Sequence, residues 1–459
     1  MKSRLIVPLL VLVIVLGACT KESPVPDERE ETTETGTVSP SYRINAGYDD
    51  ESGTVTGDMA VTLHNDTGRS LNRAFFNLWP EADEFSPGGL TIRQVAVDGE
   101  AAGYEVTDTA LEVTGLSIPD GGAAEIAIDF TAAVPDLKHR FGRSGGQVSL
   151  GNWFPVLAVH DARGWVTHPY FADGESFYSE SGDFEVLFKA DPSFKIAATG
   201  QQQGREEAED GDMTHRFRAH DVRDFAIMLN KDFRTETREV AGTPVNIHFP
   251  VRCTSYVDAV FAEAENSLPL FDELFGEYAW PDLDIVLVDY GEEFDGGMEY
   301  PQLVTVNMPS VEDDPAKLAQ TVSHEIAHQW FYGMVGSDSY SEPWLDESFS
   351  QFASYEAVYG PDGFGWIESP GKDAPLLNAP ASEFTDAGVY GDIVYDYGAK
   401  TLSDFRVLIG EQQFREVMHT YVDRFRFRNA TTLDFLRVAE EVTGNDHKQF
   451  WTGHRIQIK

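Results

Sequence analysis

His324 and His328 stand four residues apart within Ser323–Ser350, which reads SHEIAHQWFYGMVGSDSYSEPWLDESFS. On a helix that spacing projects both imidazoles from one face, one turn above the other. Glu325 lies beside the first histidine and completes H-E-x-x-H. In that arrangement two histidines hold Zn²⁺ and the glutamate is placed to act as a general base. A catalytic zinc takes three protein ligands and keeps one position open for water. Glu347, after a gap of eighteen residues, is the candidate third ligand.

An amphipathic helix with two surface histidines would carry the same motif, so the flanking elements matter. Asp314-Pro315 supplies an N-cap acceptor followed by a proline at the first helical position. The helix is predicted to run AKLAQTVSHEIAHQWFYG and to stop at Gly333. Ser341-Glu342-Pro343 predicts the start of a second helix, which carries Glu347. Two helices presenting His, His and Glu point to one zinc ion per chain. The other ten histidines are scattered without ligand spacing, and no second metal is expected.

Ser41–Thr243 reads mostly as β-structure. GDMAVTLHND, GLTIRQVAVDG, ALEVTGL, AAEIAIDFTA, DFEVLFKADP and KIAATG are strand-length and bounded by Gly, Pro, Asp or Asn. The expectation is a twisted antiparallel sandwich or saddle, with Trp153, Phe154, Trp165 and Tyr170 packing in its core or at a domain interface. From Pro244 to Lys459 the pattern becomes mixed and then helical. PVNIHF and DIVLVDY read as strands, GGMEYPQLVTVN as one more strand, and SYVDAVFAEAENSLPLFDELFGEY as a helix interrupted near Pro269. Beyond Glu347 the chain reads as helix almost to its end.

HEIAHQWF, the eighteen-residue gap and Glu347 within WLDESF resemble the aminopeptidase N-like family of gluzincin zinc metallopeptidases. The resemblance covers about Ser41 to the C-terminus and implies a β-domain followed by a thermolysin-like catalytic domain. Gly296-Gly297-Met298-Glu299-Tyr300-Pro301 resembles the family's G-x-M-E-N strand. It implies that Glu299 holds the free α-amine of a peptide, with Gly297 and Met298 offering backbone contacts. Taken alone, Glu299 would be a solvated strand glutamate. Tyr395-Asp396-Tyr397-Gly398-Ala399 resembles the Y-x-K-G-A segment that supplies an oxyanion donor, which points to Tyr395, with Tyr390 and Tyr397 as alternatives. Without that resemblance Tyr395 reads as packing between helices.

The sequence departs from the family at Tyr300 and Asp346, each in place of Asn, and at Ser348 in place of Gly. Asp346 either caps its helix or orients a ligand, and the cap is the favoured reading. A second amine-holding residue has no match around Gln147–Asn152. The large C-terminal helical domain of longer members is expected to be missing, which would leave the cleft more open.

The activity implied is that of a zinc aminopeptidase releasing N-terminal residues. Glu325 takes a proton from water, and zinc acidifies that water and polarises the carbonyl. An endopeptidase on the same scaffold is the near alternative, and a non-catalytic surface binding protein is the alternative from another class.

Composition limits partners. The chain carries 77 acidic and 34 basic residues, a formal net charge of -43, and pI ≈ 4.4. Binding nucleic acid through a basic face is excluded. Such a surface stays soluble where salt screens self-repulsion, so a saline or alkaline setting is expected. Lys2 and Arg4 precede the apolar run Leu5–Leu16, which ends in Leu16-Gly17-Ala18-Cys19. Residues 1–18 read as a lipoprotein signal peptide, with Cys19 as the lipidated residue of an extracytoplasmic, membrane-anchored protein. Residues 19–40 are an acidic linker with too little apolar content to fold. Cys253, the other cysteine, is expected to be a small buried hydrophobe.

Overall fold

The computed structural model describes residues 37–172, 174–311 and 313–458. The predicted signal peptide, Cys19 and the linker up to residue 36 lie outside the described residues.

Alternating side chains build the first half. Along Val38–Asp49, Tyr42, Ile44, Ala46 and Tyr48 are buried while the residues between them face outward or lie half-buried. That period of two is the signature of a strand covered on one face. It begins at Val38, inside the stretch read as linker, because Val38 is buried and pairs opposite Asn65. The strand lies in an eight-stranded sheet, flanked by Thr54–Asn65 and Gly182–Ala190. The sheet is antiparallel except where Val38–Asp49 runs parallel to Gly182–Ala190. Two four-stranded sheets, one containing Leu71–Asn77 and the other Gln147–Leu150, and the short pair Val159–Asp161 and Gly164–Val166 make up the rest of the described β-region. Between them Trp153 and Phe154 are fully buried against Phe130, Phe184 and Phe188, as core residues.

The boundary with the second half falls earlier than the composition suggests. Phe233–Val240 and Thr243–Pro250 form a hairpin across Ala241-Gly242, both at positive φ. A two-residue turn of that kind matches the twist of its strands and ties them into one unit. Both strands belong to the five-stranded sheet of the second half, whose order is Phe233–Val240, Thr243–Pro250, Leu283–Val288, Leu303–Asn307 and Gly297–Met298. The stretch GGMEYPQLVTVN is therefore two strands. Pro301 and Gln302 (φ 61°) turn the chain, so Gly297–Met298 pairs antiparallel with Leu303–Asn307 and becomes the sheet edge. Glu299 follows that edge directly.

Helix α1 (Val257–Phe275) holds Pro269 in its interior and packs on α2 (Pro315–Ala327). Asp314 caps α2 as predicted, its carboxylate accepting from the N–H groups of Ala316 and Lys317. α2 ends at Ala327, six residues short of Gly333. The chain then widens, with Gly333 N–H reaching His328 O and Met334 N–H reaching Gln329 O. Helix α3 (Trp344–Tyr359) lies against α2, and α4 (Gly398–Ile409) lies against α3. A single cluster of buried apolar residues runs from Val38 to Ile456, and the two halves share it. Cys253 is fully buried within it.

Buried Arg223 fastens the β-region to the turn after α2. Its guanidinium donates to the carbonyls of Ser179, Gly333 and Arg428 and to Asn429 Oδ1. The segment that leaves the histidine helix is thereby tied through one guanidinium to Ser179 and to Arg428-Asn429.

Candidate active site

α2 and α3 bring His324, His328 and Glu347 together as the spacing requires. Their donor atoms form a triangle: His324 Nε2 to His328 Nε2 is 2.9 Å, and Glu347 Oε2 lies 3.2 and 3.4 Å from the two nitrogens. Glu347 Oε2 is buried without an aligned hydrogen bond despite those contacts. Lone pairs from three side chains thus converge on one point. Tetrahedral coordination at about 2.0–2.1 Å puts ligands about 3.3 Å apart, so the triangle fits a small divalent ion. Two imidazoles and a carboxylate are a donor set suited to zinc.

Asp346 does not cap α3. Its Oδ1 lies 2.7 Å from His328 Nδ1, and its Oδ2 accepts from Ser339 Oγ at 2.8 Å. The reason is position: Asp346 sits in the first turn of α3, on the face buried against α2. Holding Nδ1–H there leaves Nε2 with its lone pair toward the triangle. Burial would lower His328, but Asp346 and Glu347 outweigh it and raise it well above the ordinary imidazole range. Burial dominates at His324 and lowers it. Glu347 is pulled down by the two histidines against the effect of burial.

Glu325 is buried beside the triangle, with Oε2 unpartnered. Burial raises its carboxyl to about 8, His328 opposing and Glu347 adding. Gly297 comes so close that a Cβ there would lie 2.9 Å from the Glu325 carboxylate and 1.9 Å from Thr305 O. Met298 is buried beneath the edge. The sheet edge and the putting-forward of Glu325 thus depend on the absence of a side chain at 297.

Glu299 is buried, not solvated, and its Oε1 has no partner. Burial raises it well above the carboxylate range, and the leading charge contribution comes from Glu175. Gln329, the residue after His328, clamps the turn that carries Glu299: its Oε1 accepts from Gln302 N–H and its Nε2 donates to Tyr300 O. Tyr300 is fully buried against Gly151, where a Cβ would overlap its hydroxyl.

Glu175 is the residue that sequence reasoning missed. It lies in the β-region, half-buried, raised to about 7 by desolvation, and paired with both oxygens on Arg140 at 3.1 and 2.9 Å. Arg140 is itself buried under Tyr170, Phe177 and Phe294. No local pattern marks Glu175, because only the tertiary fold carries its loop to the catalytic helices.

The tyrosine segment contains a π-helix, Gly391–Tyr397. Tyr395 stacks on His324 at 5.6 Å and 16°, and burial followed by the Glu347 charge raises its phenol far above the usual range. It therefore stays protonated and able to donate. Tyr390 packs edge-on to Tyr395 at 5.9 Å, its hydroxyl buried and unpartnered. Tyr397 turns away and stacks on His454.

Residues 261–365 and 371–454 match the peptidase family M1 domain. That match lies within the second half of the chain and includes all three residues of the metal-ligand triangle. Aminopeptidase M1-A of Oryza sativa subsp. japonica is 24% identical over 408 residues, covering 80% of this chain and 45% of that protein. Aminopeptidase M1-B of the same plant is 29% identical over 243 residues, 47% of this chain and 27% of the relative. Aminopeptidase B of Rattus norvegicus is 29% identical over 191 residues, 38% and 29% respectively. The chain spans less than half the length of these curated relatives. The M1 zinc metallopeptidase from Deinococcus radiodurans superposes with a TM-score of 0.71 at 17% identity, over 92% of this chain and 94% of that one. A two-domain M1 zinc metallopeptidase bound to L-tryptophan gives 0.70 at 19%, over 92% and 95%. The two-domain arrangement of these structures, here a β-region followed by a mixed and then helical region, is thus the fold of this chain.

Proposed function

We propose that the protein is a zinc aminopeptidase. The observation that carries this reading is the buried carboxylate of Glu299, unpartnered at Oε1 and facing Glu175 beside the metal-ligand triangle. Glu175, Glu299, Glu325, Asp346 and Glu347 act on one another around the triangle, and the Arg140 guanidinium faces only Glu175 and Glu299 of the five. A bound dication still leaves an excess of negative charge, and a peptide's α-ammonium group supplies the missing cation.

Bound zinc would acidify a water and polarise the scissile carbonyl. The chain's own residues do the rest. The peptide adds to the exposed edge Gly297–Met298 as a further strand, its backbone close to the glycines. Glu299 and Glu175 hold the terminal ammonium, which fixes cleavage one residue from the end. Glu325 accepts the water proton and returns it to the leaving amine; a carboxylate whose affinity for a proton is raised by burial takes that proton up more readily. Tyr395 donates its phenolic hydrogen to the developing oxyanion.

Replacing Glu325 with Gln should abolish turnover while zinc stays bound; retained turnover would overturn the mechanism. Free and N-acetylated peptides distinguish the two peptidase readings. Equal cleavage of both would establish an endopeptidase and remove the amine-anchor role. Loss of metal from the purified protein without any turnover on zinc addition would favour a binding protein.

The Leu16-Gly17-Ala18-Cys19 run supports an N-terminal lipid anchor at Cys19 and an extracytoplasmic site of action. Among the described residues no helix is long and apolar enough to cross a membrane. Metabolic labelling with a fatty-acid analogue tests the anchor, and labelling retained in a Cys19→Ser variant would exclude that residue.

A further inference from the structure

Ser348 follows Glu347 in α3 and is fully buried. Its hydroxyl donates to the carbonyl of Val394 at 2.5 Å. Val394 belongs to the π-helix Gly391–Tyr397 and directly precedes Tyr395. In an α-helix that carbonyl would receive the N–H of Gly398, four residues on. Here the Gly398 N–H is shared between Ile393 O, five residues back, and Tyr395 O, three back, and passes over Val394 O. The Ser348 hydroxyl thus occupies a carbonyl that the tighter register would claim.

The register decides where Tyr395 points. One residue corresponds to about 100° of rotation about a helix axis. Closing the wide turn would swing the ring off His324, on which it now lies at 16°. Gly398 belongs to the same contact, since a Cβ there would sit 1.9 Å from Ser348 Oγ. A π-turn has poorer hydrogen bonding than α-helix and persists where something favours the wide form. A second tie between α3 and the turn, Tyr355 Oη to Asp396 Oδ1 at 2.5 Å, engages a side chain with rotatable bonds and not a backbone carbonyl, so it constrains the register less than Ser348 does.

We propose that Ser348 is a positioning residue for catalysis: its hydrogen bond to Val394 holds the wide turn that aims Tyr395 at the metal-ligand triangle. This rests on the reading of Tyr395 as the oxyanion donor.

The test is a double-mutant cycle of Ser348→Ala and Tyr395→Phe in the zinc-loaded full chain, with an aminoacyl reporter substrate and a crystal structure of Ser348→Ala. Loss of one buried neutral hydrogen bond predicts a fall in kcat of about two- to tenfold, with KM and zinc content unchanged. In the Tyr395→Phe background the same substitution should cost nothing further. The crystal structure should show Gly398 N–H turned to Val394 O and the Tyr395 ring displaced from His324. An equal loss of kcat in both backgrounds, a fall in zinc content, or an unmoved ring overturns the proposal. If Tyr395→Phe keeps wild-type kcat, the donor role of Tyr395 fails instead, and ring displacement alone decides whether Ser348 sets the register. Tyr355→Phe is expected to leave the ring in place. Should Ser348→Ala not fold, Ser348→Cys, similar in bulk and a weak donor, takes its place in the cycle.

Discussion

Asp346 touches no substrate in the proposed mechanism, yet it should control metal affinity. Its Oδ1 receives the Nδ1–H of His328 at 2.7 Å and its Oδ2 is held by Ser339. A carboxylate in that position fixes the tautomer of the ligand and raises the basicity of Nε2, and such partners are worth about 10- to 100-fold in affinity. At about 1.36 kcal/mol per tenfold, that is about 1.4–2.7 kcal/mol. The structure ranks two substitutions within this range. Asp346→Asn can keep an oxygen toward His328 and its amide toward Ser339, so only the charge is lost and about tenfold is expected. Asp346→Ala removes the acceptor and leaves Phe331 O, 3.0 Å from Nδ1, to receive the proton, so the loss should approach 100-fold. Competition for Zn²⁺ against a chelator of known affinity, at fixed pH and salt, measures both. Wild-type affinity in Asp346→Asn, or an alanine variant that binds as well as the asparagine variant, would refute the orienting role.

Three further outcomes are expected. Glu299→Gln should lower kcat/KM on free-amine peptides by about 10- to 100-fold, the worth of a charge-assisted hydrogen bond, and leave cleavage of N-acetylated peptides unchanged. Gly297→Ala should destabilise the chain by about 1–3 kcal/mol in urea unfolding, because the new methyl meets Thr305 O. Asp338 is held at about 2: burial pushes it up, but His168 and Arg163 outweigh that. With an ordinary value of about 3.9, its stabilisation of about 2.5 kcal/mol is fully present above pH about 4 and is lost as pH falls toward 2. Asp338→Asn should therefore lower stability at neutral pH and converge with the wild type in acid. A constant offset between the two unfolding curves across that range would contradict the ion-pair account.

What local spacing could encode was legible in the sequence. The interval between His324 and His328 required one helix face, Asp314-Pro315 fixed where that helix begins, and alternating burial marked the β-region strand by strand. The gap to Glu347 worked because a second short helix opens at Pro343 and returns the chain to the first. Local pattern failed where the deciding partner is distant. Asp346 read as a cap because Asp near a helix start usually is one, and only the packing of α3 on α2 turned it toward His328. The end of α2 was overrun because nothing in HQWFYG breaks a helix by propensity; Arg223, about 110 residues away in sequence, holds the turn that follows. Glu175 and Arg140 carry no motif at all, and only the fold sets them beside Phe294 and Glu299 of the second half.

Residue types and short intervals therefore determined which chemistry this protein can perform: a His2Glu metal site with a carboxylate beside it and a glycine-bearing strand before it. The tertiary structure decided what surrounds that chemistry, namely the unpartnered Glu299 beside the Arg140-paired Glu175, the orienting Asp346, and the wide turn that presents Tyr395. The physical reason is range. Helix and strand periodicity act over a few residues, whereas desolvation and charge act between whatever groups the fold brings together, however far apart they lie in the chain.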